Sequence, residues 1–127
     1  MKTILIVDDE PDIIELVVNR LSSNDFKVIA ANDGEEGIKR AKEDSPDLIL
    51  MDIMMPNMSG GDAVKVLKED AKTQNIPIIF LTGVYNDRKP EGQEASGINV
   101  GGQYYPSLGK PFDGDKLIMA VNKELNN

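Results

Sequence analysis

Cysteine is absent from this sequence, which excludes disulfide bridges, thiolate nucleophiles and thiolate metal sites. Histidine is absent as well, so neither a histidine-based triad nor a zinc site held by imidazole can be built. There is no tryptophan. Basic residues are in the minority, with 14 Lys and Arg against 22 Asp and Glu and a formal charge of −8. That balance argues against direct nucleic-acid binding, which needs a basic face. It suits a cation or a partner with a basic patch. Long apolar runs are also missing. The N-terminal one is too short for a signal peptide or a membrane span, and acids follow it at once. These absences predict a soluble, cytoplasmic protein without a membrane partner.

What is present is an ordinary globular composition, 40% hydrophobic and 28% charged, in 127 residues. That length predicts a single domain over 1–127 with a real core. Short continuous apolar runs, TILIV (3–7), LILM (48–51) and IPIIFL (76–81), suit parallel strands buried on both faces. FKVIA (26–30), broken by Lys27, reads as an edge strand. Helical patterns lie between them. Residues 11–23 open on Pro11 and carry Ile14, Val17, Val18 and Leu21 on one stripe. Residues 33–44 start with Asp33 as a cap. Residues 60–72 align Val64, Leu67 and Ala71, and residues 113–125 begin with Asp113 and align Leu117, Val121 and Leu125. The alternation predicts a doubly wound α/β fold with a five-stranded parallel sheet and helices on both faces.

In such sheets the ligand site lies beyond the carboxyl ends of the strands. Asp8 and Asp9 end the first run, Asp52 the third and Thr82 the fourth, and Lys110 follows a fifth in SLGKPF. Three carboxylates with one ammonium and one hydroxyl suggest magnesium, a cation that prefers oxygen and shares phosphate with one or two carboxylates. A carboxylate can also attack phosphorus to give an aspartyl phosphate. Lys110 would supply charge to one phosphoryl oxygen and Thr82 a hydroxyl to another. The methionines at 51, 54, 55 and 58 are better explained by packing than by soft-metal binding.

ILIVDDEPD (4–12), PDLILMDIMMPNMSG (46–60), PIIFLTG (77–83) and KPF (110–112), in this order, resemble the receiver domains of two-component response regulators, a family that includes the single-domain chemotaxis regulator. The resemblance covers nearly the whole chain. It implies a flavodoxin-like strand order 2-1-3-4-5. Asp52 would accept a phosphoryl group from the phosphohistidine of a sensor histidine kinase or phosphotransfer protein. Asp9 would hold Mg2+ directly and Asp8 through water, with the backbone carbonyl of Met54 as a further ligand. Thr82 would be the switch hydroxyl, and Lys110 would pair with Asp52 or the phosphoryl group. The Lys110-Pro111 peptide would be cis, and Gly83 would leave room for the phosphoryl group. The product would be a conformational signal to a downstream effector, with no catalysis beyond its own phosphorylation and dephosphorylation. The chain could equally be complete or a receiver taken from a larger regulator or hybrid kinase.

Two other classes fit less well. An aspartate-based phosphatase wants a second acid two residues after the nucleophile, where this chain has Met54. A flavodoxin-like cofactor binder needs phosphate donors in its first turn, and DDEPD would repel phosphate. The sequence also departs from the resemblance. Ser107 stands where receivers carry an aromatic residue three positions before the lysine, and Tyr104 and Tyr105 lie just upstream. The excess length falls in 100–107, and six of the chain's 11 glycines lie in 83–109. This predicts an irregular fourth helix near 87–96, with Pro90 and Gly92, and a glycine-rich segment that changes order on phosphorylation.

Overall fold

The computed structural model describes residues 1–83 and 97–126. The chain runs β1 (Thr3–Val7), α1 (Pro11–Ser22), β2 (Lys27–Ala31), α2 (Gly34–Asp44), β3 (Leu48–Asp52), α3 (Gly60–Lys68) and β4 (Ile78–Thr82). After residue 96 it continues with β5 (Ile98–Val100), β6 (Gln103–Tyr105), β7 (Ser107–Gly109) and α4 (Gly114–Asn126). The helix expected near 87–96 lies outside the described residues. No helix among the described residues is long and apolar enough to cross a membrane.

Five strands form a parallel sheet in the order β2-β1-β3-β4-β7, with β2 and β7 at its edges. This is the expected flavodoxin-like arrangement, with β7 as its fifth strand. Alternation along each strand divides the core in two. Leu5, Val7, Ile49, Met51, Ile78 and Phe80 pack with Ala41 of α2 and Ala63, Val64 and Leu67 of α3. Ile4, Ile6, Leu48, Leu50, Ile79 and Leu81 face the other way, onto Val17 and Leu21 of α1 and Leu117 and Val121 of α4. Central strands therefore need apolar residues at every position, which is why they read as unbroken runs.

Side-chain caps mark the starts of α2, α3 and α4. The side chains of Asp33 and Ser59 accept from the N–H groups of Glu36 and Asp62, and Asp113 accepts from that of Lys116. The third helix is shorter than the predicted 60–72. It stops at Lys68, Ala71 is exposed, and Thr73 is buried in its place. The Thr73 hydroxyl joins the backbone donors on Leu67 O at 2.6 Å, and Lys68 Nζ donates to Gln74 O and Ile76 O in the turn beyond the helix. The fourth strand correspondingly starts at Ile78 rather than Ile76.

The segment 100–107 contains regular structure. β5 and β6 form an antiparallel hairpin turned by Gly101 and Gly102, with φ of 60° and 88°. Left-handed backbone at two successive positions is the conformation tight hairpins demand, and it accounts for this glycine pair. The Asn99 side chain accepts from Gly102 N–H across the turn.

Candidate functional site

Parallel register brings the carboxyl ends of β1, β3, β4 and β7 side by side. Val7 pairs with Met51, so Asp8 and Asp9 follow β1 beside Asp52, the last residue of β3. Asp52 pairs with Leu81, which places Thr82 one step further along β4, and Thr82 pairs with Gly109, the residue before Lys110. Two backbone bonds tie the ends together, Asp8 N–H to Ala31 O at 3.1 Å and Lys110 N–H to Thr82 O at 2.7 Å. The Lys110-Pro111 peptide is cis.

Asp8 and Asp52 are buried while Asp9 is exposed. Asp8, Asp9 and Asp52 can each present one carboxylate oxygen with all three within 4.8 Å of one another. Lys110 reaches into this group, its ammonium 2.9 Å from Asp8 Oδ2, 3.3 Å from Asp52 Oδ1 and 2.8 Å from Glu10 Oε1. Asp8 Oδ1 accepts from Glu10 N–H at 2.9 Å. Asp8 Oδ2 is buried and accepts no aligned hydrogen bond, since its contact with Lys110 is close but poorly directed.

Burial, then the charge of Asp8, pushes the Asp52 carboxyl up to about 6 against the opposing pull of Lys110. For Lys110, burial works against the charged form. Its short contacts with Glu10 and Asp8 and the charges of Asp8 and Asp52 outweigh that and raise it above its ordinary value. Lys110 is therefore a permanent cation among four carboxylates. That surplus of negative charge, with a buried Asp8 oxygen whose contact to Lys110 is poorly directed, is what a small divalent cation would relieve. An all-oxygen donor set with no sulfur or imidazole fits magnesium.

Asp8, Asp9, Asp52 and Lys110 are thus brought together as expected. Thr82 joins them through its strand position and its backbone bond to Lys110. Met54 lies in the loop after Asp52 and is 63% exposed. Among the described residues, a Cβ on Gly83 would meet Lys110 Cδ at 3.8 Å, an ordinary contact. Glu10 is the residue that sequence reasoning passed over. Its signal was its place as the third acid of the run, but nothing in the sequence says that its side chain would span to a lysine 100 positions away.

The α3 start is held against the site by backbone. Gly60 N–H donates to Ile53 O at 2.9 Å, and a Cβ on Gly60 would collide with the carbonyl of Asp52. Only glycine allows this approach.

The family model of the response regulator receiver domain matches residues 4–122. The chain belongs to that family. Receivers are in general signalling modules rather than enzymes. The present receiver is 34% identical over 125 residues to the PilH protein of Pseudomonas aeruginosa, covering 98% of both chains. It is 35% identical to the phosphate regulon transcriptional regulatory protein PhoB of Klebsiella pneumoniae, over 94% of this chain but only 50% of PhoB. Its fold matches the chemotaxis protein CheY4 of Vibrio cholerae with a TM-score of 0.81 at 30% identity, over 97% of this receiver and 98% of CheY4.

Proposed function

We propose that this receiver takes a phosphoryl group onto Asp52 from the phosphohistidine of a sensor histidine kinase or phosphotransfer protein, with Mg2+, and signals by a change of conformation to an effector. The observation that carries this reading is the buried Asp52 carboxylate at the end of β3, in contact with Lys110 and beside Asp8 and Asp9.

In the step itself an Asp52 carboxylate oxygen attacks phosphorus. The O–P bond forms as the P–N bond to the donor imidazole breaks, and the departing nitrogen takes up a proton. Asp8, Asp9 and Asp52, with the Met54 carbonyl, are the proposed holders of Mg2+, which when bound neutralises charge shared between the carboxylates and the phosphoryl oxygens. Lys110 offers its ammonium to one phosphoryl oxygen as that oxygen gains charge. The Thr82 hydroxyl donates to another, moving toward it and carrying the event into β4. Glycine at position 83, with no side chain of its own beside Lys110, leaves room for the group. Catalysis is limited to the protein's own phosphorylation and its reversal. The exposed carboxylates and the charge of −8 favour a protein partner with a basic surface over nucleic acid or an anionic membrane. We propose a cytoplasmic location, in keeping with a cysteine-free chain and with the lack of a membrane-spanning helix among the described residues.

Incubation with acetyl phosphate and magnesium, followed by intact mass, tests the reading. The wild type should gain one phosphoryl group and Asp52→Asn none. Stoichiometric labelling of Asp52→Asn would overturn the assignment.

A further inference from the structure

Glu10 occupies the N-cap position of α1, yet its side chain makes no capping bond, unlike those of Asp33 and Ser59. Its backbone N–H orients Asp8, and its carboxylate leaves the helix altogether to receive the Lys110 ammonium at 2.8 Å. That contact is shorter than the one between Lys110 and Asp52, at 3.3 Å. The two partners differ sharply in setting, because the Glu10 side chain is 57% exposed while that of Asp52 is 3% exposed.

We propose that Glu10 is a positioning residue that draws the Lys110 ammonium outward from Asp52, keeping the Asp52 carboxylate open to a divalent cation and holding Lys110 back until a phosphoryl group claims it. This rests on the reading of Asp52 as the phosphoryl acceptor.

The physical argument concerns sharing. One ammonium is held between Asp8, Asp52 and Glu10, and its position is set by their competing pulls: it lies 2.8 Å from Glu10 and 3.3 Å from Asp52, so the exposed carboxylate keeps it at the longer distance from the buried one. Mg2+ and Lys110 compete for the same Asp8 and Asp52 oxygens, so a carboxylate that diverts the ammonium favours the metal. The Glu10 contact is also easily surrendered, since a part-exposed ion pair contributes little. A phosphoryl group on Asp52 carries more charge than the carboxylate it replaces and would outcompete Glu10 for Lys110. Until then Glu10 adds negative charge at the mouth through which an anionic donor approaches.

Removing the Glu10 charge should therefore push two quantities in opposite senses. In Glu10→Gln the uncharged amide holds the ammonium less strongly and Lys110 shifts toward Asp52 and Asp8, so Mg2+ affinity, read from amide shifts in an NMR titration of the full chain, should fall roughly two- to fivefold. In saturating Mg2+, the rate of phosphorylation by acetyl phosphate should rise by a similar factor, roughly two- to fivefold, because Lys110 no longer has to leave Glu10 and repulsion of the donor is reduced. A purely structural role would leave both unchanged or lower both together, and either result would overturn the proposal. If the wild type itself takes no phosphoryl group, the acceptor reading falls instead. The magnesium titration then decides the Glu10 contact alone, supporting it if affinity drops and refuting it if affinity holds.

Discussion

The ring of Tyr105 stands edge-on to that of Phe80, with centroids 5.8 Å apart and planes at 82°. Tyr105 is 6% exposed and belongs to the core on the α2–α3 side of the sheet, while its neighbour Tyr104 is 70% exposed. Ser107, at the position where receivers carry an aromatic, is the register partner of the same Phe80. Among the described residues, the ring that packs on this part of β4 is thus delivered by the hairpin strand β6 and not by β7. Lys68 Nζ lies 5.7 Å from the Tyr105 centroid while it donates to Gln74 O and Ile76 O, so one tyrosine also braces the turn after α3.

Tyr105→Ala should accordingly cost about 3–4 kcal/mol by urea unfolding, the loss of a buried ring and its edge contact. Tyr104→Ala should stay within about 0.5 kcal/mol of the wild type. Equal effects of the two changes would show that the hairpin does not anchor through Tyr105.

Gly60 and Gly61 offer a neighbouring contrast. A Cβ at Gly60 meets the backbone of Asp52 and Ile53, and neither can move without displacing the acceptor strand. Gly60→Ala should cost about 1–3 kcal/mol and slow labelling by acetyl phosphate. At Gly61 the nearest atoms to a Cβ are 3.9 Å away, so Gly61→Ala should be neutral or stabilise α3 by up to about 1 kcal/mol.

The raised Asp52 carboxyl, at about 6 against an ordinary 3.8, makes stability depend on pH. Between these values the folded state holds a proton that the unfolded chain has lost, so the Asp52 contribution to stability is complete below about pH 4 and lost as pH rises through 6. Asp52→Asn removes the dependence. Without divalent cations the variant should exceed the wild type at pH 7.5 by about 1–3 kcal/mol in urea titrations. The gap should close near pH 4, and added Mg2+ should narrow it at pH 7.5 by binding the wild type. A gap that is constant with pH would refute the charge argument.

Magnesium affinity should depend on Asp9 more than on Asp8. Asp8 already engages Glu10 N–H and Lys110, whereas Asp9 is exposed at the mouth of the site. Asp9→Ala should weaken Mg2+ by about tenfold or more, roughly 1.4 kcal/mol, with a smaller loss in Asp8→Ala. NMR titration of both variants distinguishes the two, and a larger loss in Asp8→Ala would reverse the assignment of direct and indirect ligand.

The sequence by itself determined the sheet, its order of elements and the meeting of Asp8, Asp9, Asp52 and Lys110. Strands buried on both faces must be apolar throughout, and polar groups at the ends of such strands have one place to converge. The tertiary structure alone decided three things. Helix α3 ended at Lys68 in a turn where Thr73 bonds Leu67 O and Lys68 bonds Gln74 O and Ile76 O, side-chain contacts invisible to periodicity. Lys110 was shared with Glu10 because a long side chain and an exposed glutamate met across 100 residues, which no local pattern encodes. Tyr105 rather than Tyr104 entered the core because adjacent strand residues face opposite ways. The register set by the Gly101-Gly102 turn, with β5 lying against α3, fixed which of the two faced Phe80.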